Sequence, residues 1–260
     1  GLDTYDPASV IGNVTATTGS LYKVVAGGVN TLVGNAGDIN ITSRAVGAGT
    51  IIGANTGSPT VGNVGTVGNI SATTVAGNVT FGGSYGNIGT VALSTTAVLD
   101  GDSTTGSAED PVVLAAGDIS LAAVTVRGTH GTITATATDD ATSGRVIAAD
   151  QGEITGSVTF YGAADSANGL VLSTQQGDID VDVAAKYMLA GVALGAAGDE
   201  LAANNTTTNS DDLVGAAGNV SATSAFGDII LDLQTAAPVD KGSADSAVRT
   251  PSIGNVTAST

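Results

Sequence analysis

The chain has 260 residues, among them 38 glycines, no cysteine and no tryptophan, and a formal net charge of −17. Charged residues make up only 12 % and aromatics 3 %, while 42 % is hydrophobic. That balance excludes charge-driven disorder, a helical bundle and collagen, and seven Lys and Arg are too few for nucleic acid or an anionic membrane as partner.

Residues 1–9 carry no repeat and are read as an N-terminal segment, a candidate assembly strand. From there a short unit recurs: Gly, a polar residue, Ile or Val, then alternating small residues. Copies begin at Gly12, Gly37, Gly62, Gly68, Gly77 and Gly86. Further copies begin at Gly117, Gly131, Gly152, Gly177, Gly218, Gly227 and Gly254. Gly with Asn or Asp suits a tight left-handed corner. The alternation that follows, as in Ile179, Val181 and Val183, is the period of a half-buried strand.

Gly12, Gly37 and Gly62 are 25 residues apart, as are Gly152 and Gly177. A strand and its corner take about eight residues at ~3.3 Å each, so ~25 residues make a turn with two or three strands. The spacing predicts an all-β, single-domain parallel β-solenoid (β-helix) of about nine coils over residues 10–260, with acidic loop insertions. A sandwich does not repeat one turn sequence in this way, and a propeller repeats at longer intervals.

The insertions span residues 98–111, 138–144, 190–213 and 235–250, hold half of the 24 acids, and are expected to leave along one side. Asp100, Asp102, Glu109, Asp110, Asp211 and Asp212 are the candidate calcium ligands, since hard cations take carboxylate and carbonyl oxygen. Neither an EF-hand nor a GGxGxD pattern organises them. Asn204 and Asn205 are the glycosylation candidates, because the repeat itself explains most other Asn-x-Ser/Thr sites.

Catalytic residues are not found. Asp178, Asp180 and Asp182 follow one another on one strand with Lys186 as the sole nearby base, which reads as a solvated acidic face. His130, the one histidine, reads as a turn residue, and no Ser lies in a nucleophile elbow. No cofactor is implied. Thr15, Thr17, Thr132, Thr134, Thr136 and Thr138 form local Thr-x-Thr runs of the kind that order water. Taking Asp180, Asp182 and Gly65 as equivalent positions argues against such an array.

The segments AAGDISLAA (Ala115 to Ala123), QQGDIDVDVAA (Gln175 to Ala185) and AAGNVSATSAFGDIILDL (Ala216 to Leu233) resemble exoproteins of the filamentous-haemagglutinin and autotransporter adhesin type. The resemblance implies a right-handed solenoid on the cell surface, serving as an adhesin or matrix fibre.

The expected function is therefore an extracellular structural protein, the subunit of a head-to-tail filament or surface matrix, with itself as partner and no membrane insertion. An adhesin that binds a glycan or receptor through acidic loops is the alternative, and a polysaccharide-active enzyme is a third. VIGNVTATT at residues 10–18 returns as SIGNVTAST at residues 252–260. Val10, Ile11, Val14, Ile253 and Val256 are thus the assembly candidates, because terminal coils of a solenoid expose unpaired backbone.

Overall fold

Alternating apolar and polar side chains commit a segment to a strand with one buried face, and strands are what form. The computed structural model describes residues 14–19, 22–25, 29–32, 37–46, 49–55, 66–100, 112–114, 116–138, 152–162, 164–188, 213–236 and 251–260. These hold strands and no helix. First come β1 (Val14–Gly19), β2 (Tyr22–Val25), β3 (Val29–Leu32), β4 (Ile39–Val46), β5 (Thr50–Asn55), β6 (Thr66–Val67) and β7 (Ile70–Val75). Then follow β8 (Val79–Tyr85), β9 (Asn87–Ile88), β10 (Val91–Thr96), β11 (Val98–Asp100), β12 (Val112–Leu114), β13 (Ile119–Val126) and β14 (Ile133–Thr138). The last are β15 (Ile154–Phe160), β16 (Asn168–Thr174), β17 (Ile179–Met188), β18 (Leu213–Val214), β19 (Asn219–Ser224), β20 (Ile229–Ala236) and β21 (Val256–Ser259).

The protein is all-β, and its two main sheets are built from parallel ladders. The first runs β1-β5-β8-β13-β15-β17-β20, with β18 antiparallel against the end of β17. The second runs β4-β7-β10-β14-β16-β19-β21. Along the chain these strands alternate strictly between the two sheets. A third, shorter parallel ladder pairs β6 with β9, then bridges Ile88 to His130 and His130 to Ala164. Each main sheet shows seven parallel strands among the described residues, where the spacing predicts about nine coils.

Register explains the repeat unit. The unit's Ile/Val position falls into one column per sheet: Val14, Thr50 in place of Ile or Val, Val79, Ile119, Ile154, Ile179 and Ile229 in the first. In the second sheet the column is Ile39, Ile70, Val91, Ile133, Leu170, Val220 and Val256. The expected inward residues Ile179, Val181 and Val183 are buried, while Asp180 and Asp182 between them are exposed. The core is mostly aliphatic, but Phe81, Tyr85 and Phe160 are also fully buried. Phe81 stacks on Tyr85 at 5.1 Å, and the Tyr85 hydroxyl donates to the Gly82 carbonyl at 2.9 Å.

Two expectations need correction. The unit's glycine is left-handed at Gly152 and Gly218, and at no other described copy. At Gly68, Gly117, Gly131, Gly227 and Gly254 the reason for glycine is close approach: a β-carbon on Gly117 would overlap the Gly77 carbonyl one strand below. Side-chain-free corners let parallel strands stack at their ~4.8 Å spacing. The insertions, too, do not leave along one side. The β2–β3 hairpin and the β17–β18 pair lie on connections from the first sheet to the second. The β11–β12 hairpin lies on a connection from the second back to the first.

One irregularity is accommodated by its neighbours. β13 bulges between Leu121 and Val124, where Ala123 takes φ 51°. Gly156 faces Leu121 on β15, and Gly82 faces Ala122 on β8. A β-carbon at either glycine would overlap the bulged backbone, so small residues on both sides are what permit it.

Candidate functional site

The polar residue of most described repeat units has a task that spans two strands. The Asp38 carboxylate accepts the backbone N–H of Asn69 at 2.7 Å, and Asn69 Oδ1 in turn accepts that of Thr90 at 2.9 Å. In the first sheet, Asn78 Oδ1 accepts from Asp118 at 2.9 Å, and Asp178 Oδ1 accepts from Asp228 at 2.7 Å. On the third ladder, Asn87 Oδ1 accepts the N–H of Thr129 at 2.8 Å. Asn or Asp at a corner thus satisfies the next strand's leading N–H, which would otherwise face water.

A second polar column lies inside, and the repeat pattern did not flag it. Thr74, Thr95, Thr174 and Ser224 are buried at register-equivalent positions of the second sheet, with Ala137 between them. Thr174 Oγ1 donates to the Gly177 carbonyl at 2.6 Å, and Ser224 Oγ accepts the Gly227 N–H at 2.8 Å. Thr95 Oγ1 accepts the N–H of Gly117 at 2.9 Å across the insertion between them. The available signal was a Thr or Ser three residues before a unit glycine. Two other buried hydroxyls, Ser43 Oγ and Thr50 Oγ1, have no hydrogen-bond partner among the described residues.

His130 is not a turn residue. It is fully buried, stands in the third ladder between Ile88 and Ala164, and stacks on Phe160 at 4.2 Å. Its Nε2 lies 3.0 Å from the Ala216 carbonyl and its Nδ1 3.0 Å from that of Gly131. Contacts from 86 residues away are invisible to a local reading of Thr-His-Gly. Burial pulls the pKa of the Arg127 guanidinium below its ordinary value, with Tyr161 opposing.

The outward faces of the two sheets differ. On the first, Asp180 lies between Thr155 and Ile230, and Asp182 between Ser157 and Asp232. Asp178 belongs to the corner, so the run Asp178, Asp180, Asp182 does not share one face. On the second sheet, Thr42, Thr73, Ser94, Thr136, Ser173, Thr223 and Ser259 form one column across all seven strands. All seven are exposed or half-buried, and Ser94 Oγ donates to Thr73 Oγ1 at 3.0 Å. Asp180 and Asp182 lie on the other sheet, so they are not equivalent to Thr134 and Thr136. Gly65 lies outside the described residues.

The remaining candidates divide as follows. Asp102, Glu109, Asp110, Asp211, Asp212, Asn204, Asn205, Val10 and Ile11 lie outside the described residues, as does segment 1–9. Asp100 ends β11 and Val14 begins β1, in both cases with the backbone alone described. Ile253 packs half-buried against the core, and Val256 is exposed on β21. Among the described residues no three His, Asp or Glu side chains group as metal ligands would. The chain matches no protein-family model, no curated protein and no solved structure.

Proposed function

We propose that the chain is a single β-solenoid serving as a structural element outside the cell, where copies join end to end into a filament or surface matrix. Strict alternation of parallel strands between two sheets, with a third short ladder, supports the solenoid reading. One observation carries the assembly. β20 and β21 each pair with one described strand, and their core-side residues are more exposed than those of the strands they pair with. Leu233 is 37 % exposed where its neighbour Val183 is 1 %, and Val256 is 44 % exposed where Val220 is 0 %. Phe226, at the corner before β20, is 79 % exposed.

An edge with no second partner strand among the described residues and a part-open apolar column is a template for strand addition. β1 and β4 present the opposite edges, with one described neighbour each. A second copy placing β1 on β20 and β4 on β21 continues the alternation without a break. Asn255 then stands to Asp38 as Asn219 stands to Asn255, whose N–H Asn219 Oδ1 accepts at 2.9 Å. Contact between different surfaces does not close on itself, so it propagates as a filament.

Electron microscopy of the purified chain tests this. Rods longer than one subunit, in multiples of a unit length, are the expected result. Uniform single-length particles that bind immobilised glycans would instead favour an adhesin, and turnover of an acidic polysaccharide would favour an enzyme.

A further inference from the structure

We propose that the outer face of the second sheet is a lateral interface, on which two copies of this chain lie sheet against sheet. It deepens the structural reading above by naming the face through which rods would pack side by side.

Charge is the first argument. β4, β7, β10, β14, β16, β19 and β21 contain no Asp or Glu in a chain whose net charge is −17, and their one charged residue is Arg44 on β4. The outer face of the first sheet carries Asp180, Asp182 and Asp232 instead. Two highly acidic copies repel wherever their carboxylates approach, and these carboxylate-free strands are where they can meet without that penalty.

Shape and chemistry are the second. The column from Thr42 to Ser259 keeps register over seven strands, the sheet's shifts falling beside it, between Thr42 and Val46 and between Asn168 and Leu170. Its side chains are small, so two such faces can approach to the ~10 Å of packed sheets. Each hydroxyl both donates and accepts, so the column is complementary to its own copy, as a twofold contact requires.

Area is the third. Seven strands at ~4.8 Å by roughly five residues at ~3.3 Å give about 550 Å² per copy. The total of about 1,100 Å² passes the ~1,000 Å² of a specific interface and falls short of the ~1,600 Å² of a standard one. A single pair is therefore weak and reversible, and rods joined end to end multiply the contact.

The test reads particle width, whereas filament formation reads particle length, so each proposal fails separately. Negative-stain microscopy and analytical ultracentrifugation of the purified chain should show double-width particles. Thr136→Glu should give single-width particles with an unchanged melting curve, and Thr223→Glu serves if the first variant folds poorly. Thr125→Glu, on the outer face of the first sheet, should leave the width doubled. Single-width wild-type particles, or equal effects of Thr136→Glu and Thr125→Glu, would overturn the proposal. So would single-width particles that adsorb to ice, which would put an ordered water lattice on this face instead of a second copy.

Discussion

The Asp178 carboxylate accepts the backbone N–H of Asp228 at 2.7 Å, joining two corners 50 residues apart in sequence. The Gly-polar-Ile/Val unit is therefore a stacking device as much as a turn. Replacing Asp178 by Ala removes the acceptor and should lower stability by about 1 kcal/mol. Asp178→Asn keeps an oxygen there, as Asn69 and Asn78 do, and relieves repulsion from Asp228. Thermal melts followed by circular dichroism should place Asp178→Asn at or above the parent and Asp178→Ala below it. Equal loss in both would show that the charge, not the oxygen, matters.

Glycines of the same unit should respond in opposite ways. Gly117→Ala drives a methyl group into the Gly77 carbonyl and should lose about 1–3 kcal/mol or more through overpacking. Gly37→Ala meets nothing within 4 Å and its φ is not left-handed, so it should be neutral or gain up to about 1 kcal/mol. Urea midpoints of the two variants check this, and a similar loss in both would restore the turn explanation.

The inward face is tested by charge. Val181 is fully buried, so Val181→Asp puts a carboxylate among Ile179, Val183 and their neighbours and should cost several kcal/mol. Asp180→Asn, one residue away on the exposed face, should change stability by less than about 0.5 kcal/mol. A Val181→Asp protein that melts with the parent would mean the faces are exchanged.

Thr50 occupies the column that holds Val14 and Val79 on either side, yet its buried hydroxyl has no partner among the described residues. Thr50→Val replaces the hydroxyl by a methyl group and should stabilise the protein by about 1 kcal/mol. A lower denaturation midpoint would show that the hydroxyl is hydrogen-bonded in solution.

Strand formation was legible because it is local. Alternation in Ile179, Val181 and Val183 sets which side chains must be buried, whatever the neighbours are, and the buried set agrees. The repeat unit likewise marked most of the main strands. Three escaped it: β5, where Thr50 stands at the Ile/Val position, β10, since the copy at Gly86 marks β9 instead, and β16, where Gly169 directly precedes Leu170.

What the sequence by itself could not decide is which strands are neighbours. Thr134 and Asp180 follow similar units, yet they lie on different sheets, because chain length between corners, not local pattern, sets the partner. The inner hydroxyls Thr74, Thr95, Thr174 and Ser224, the burial of His130 and the unbroken column from Thr42 to Ser259 all follow from that choice. Each depends on groups tens of residues apart being brought to the spacing of adjacent parallel strands, which only the assembled sheets provide.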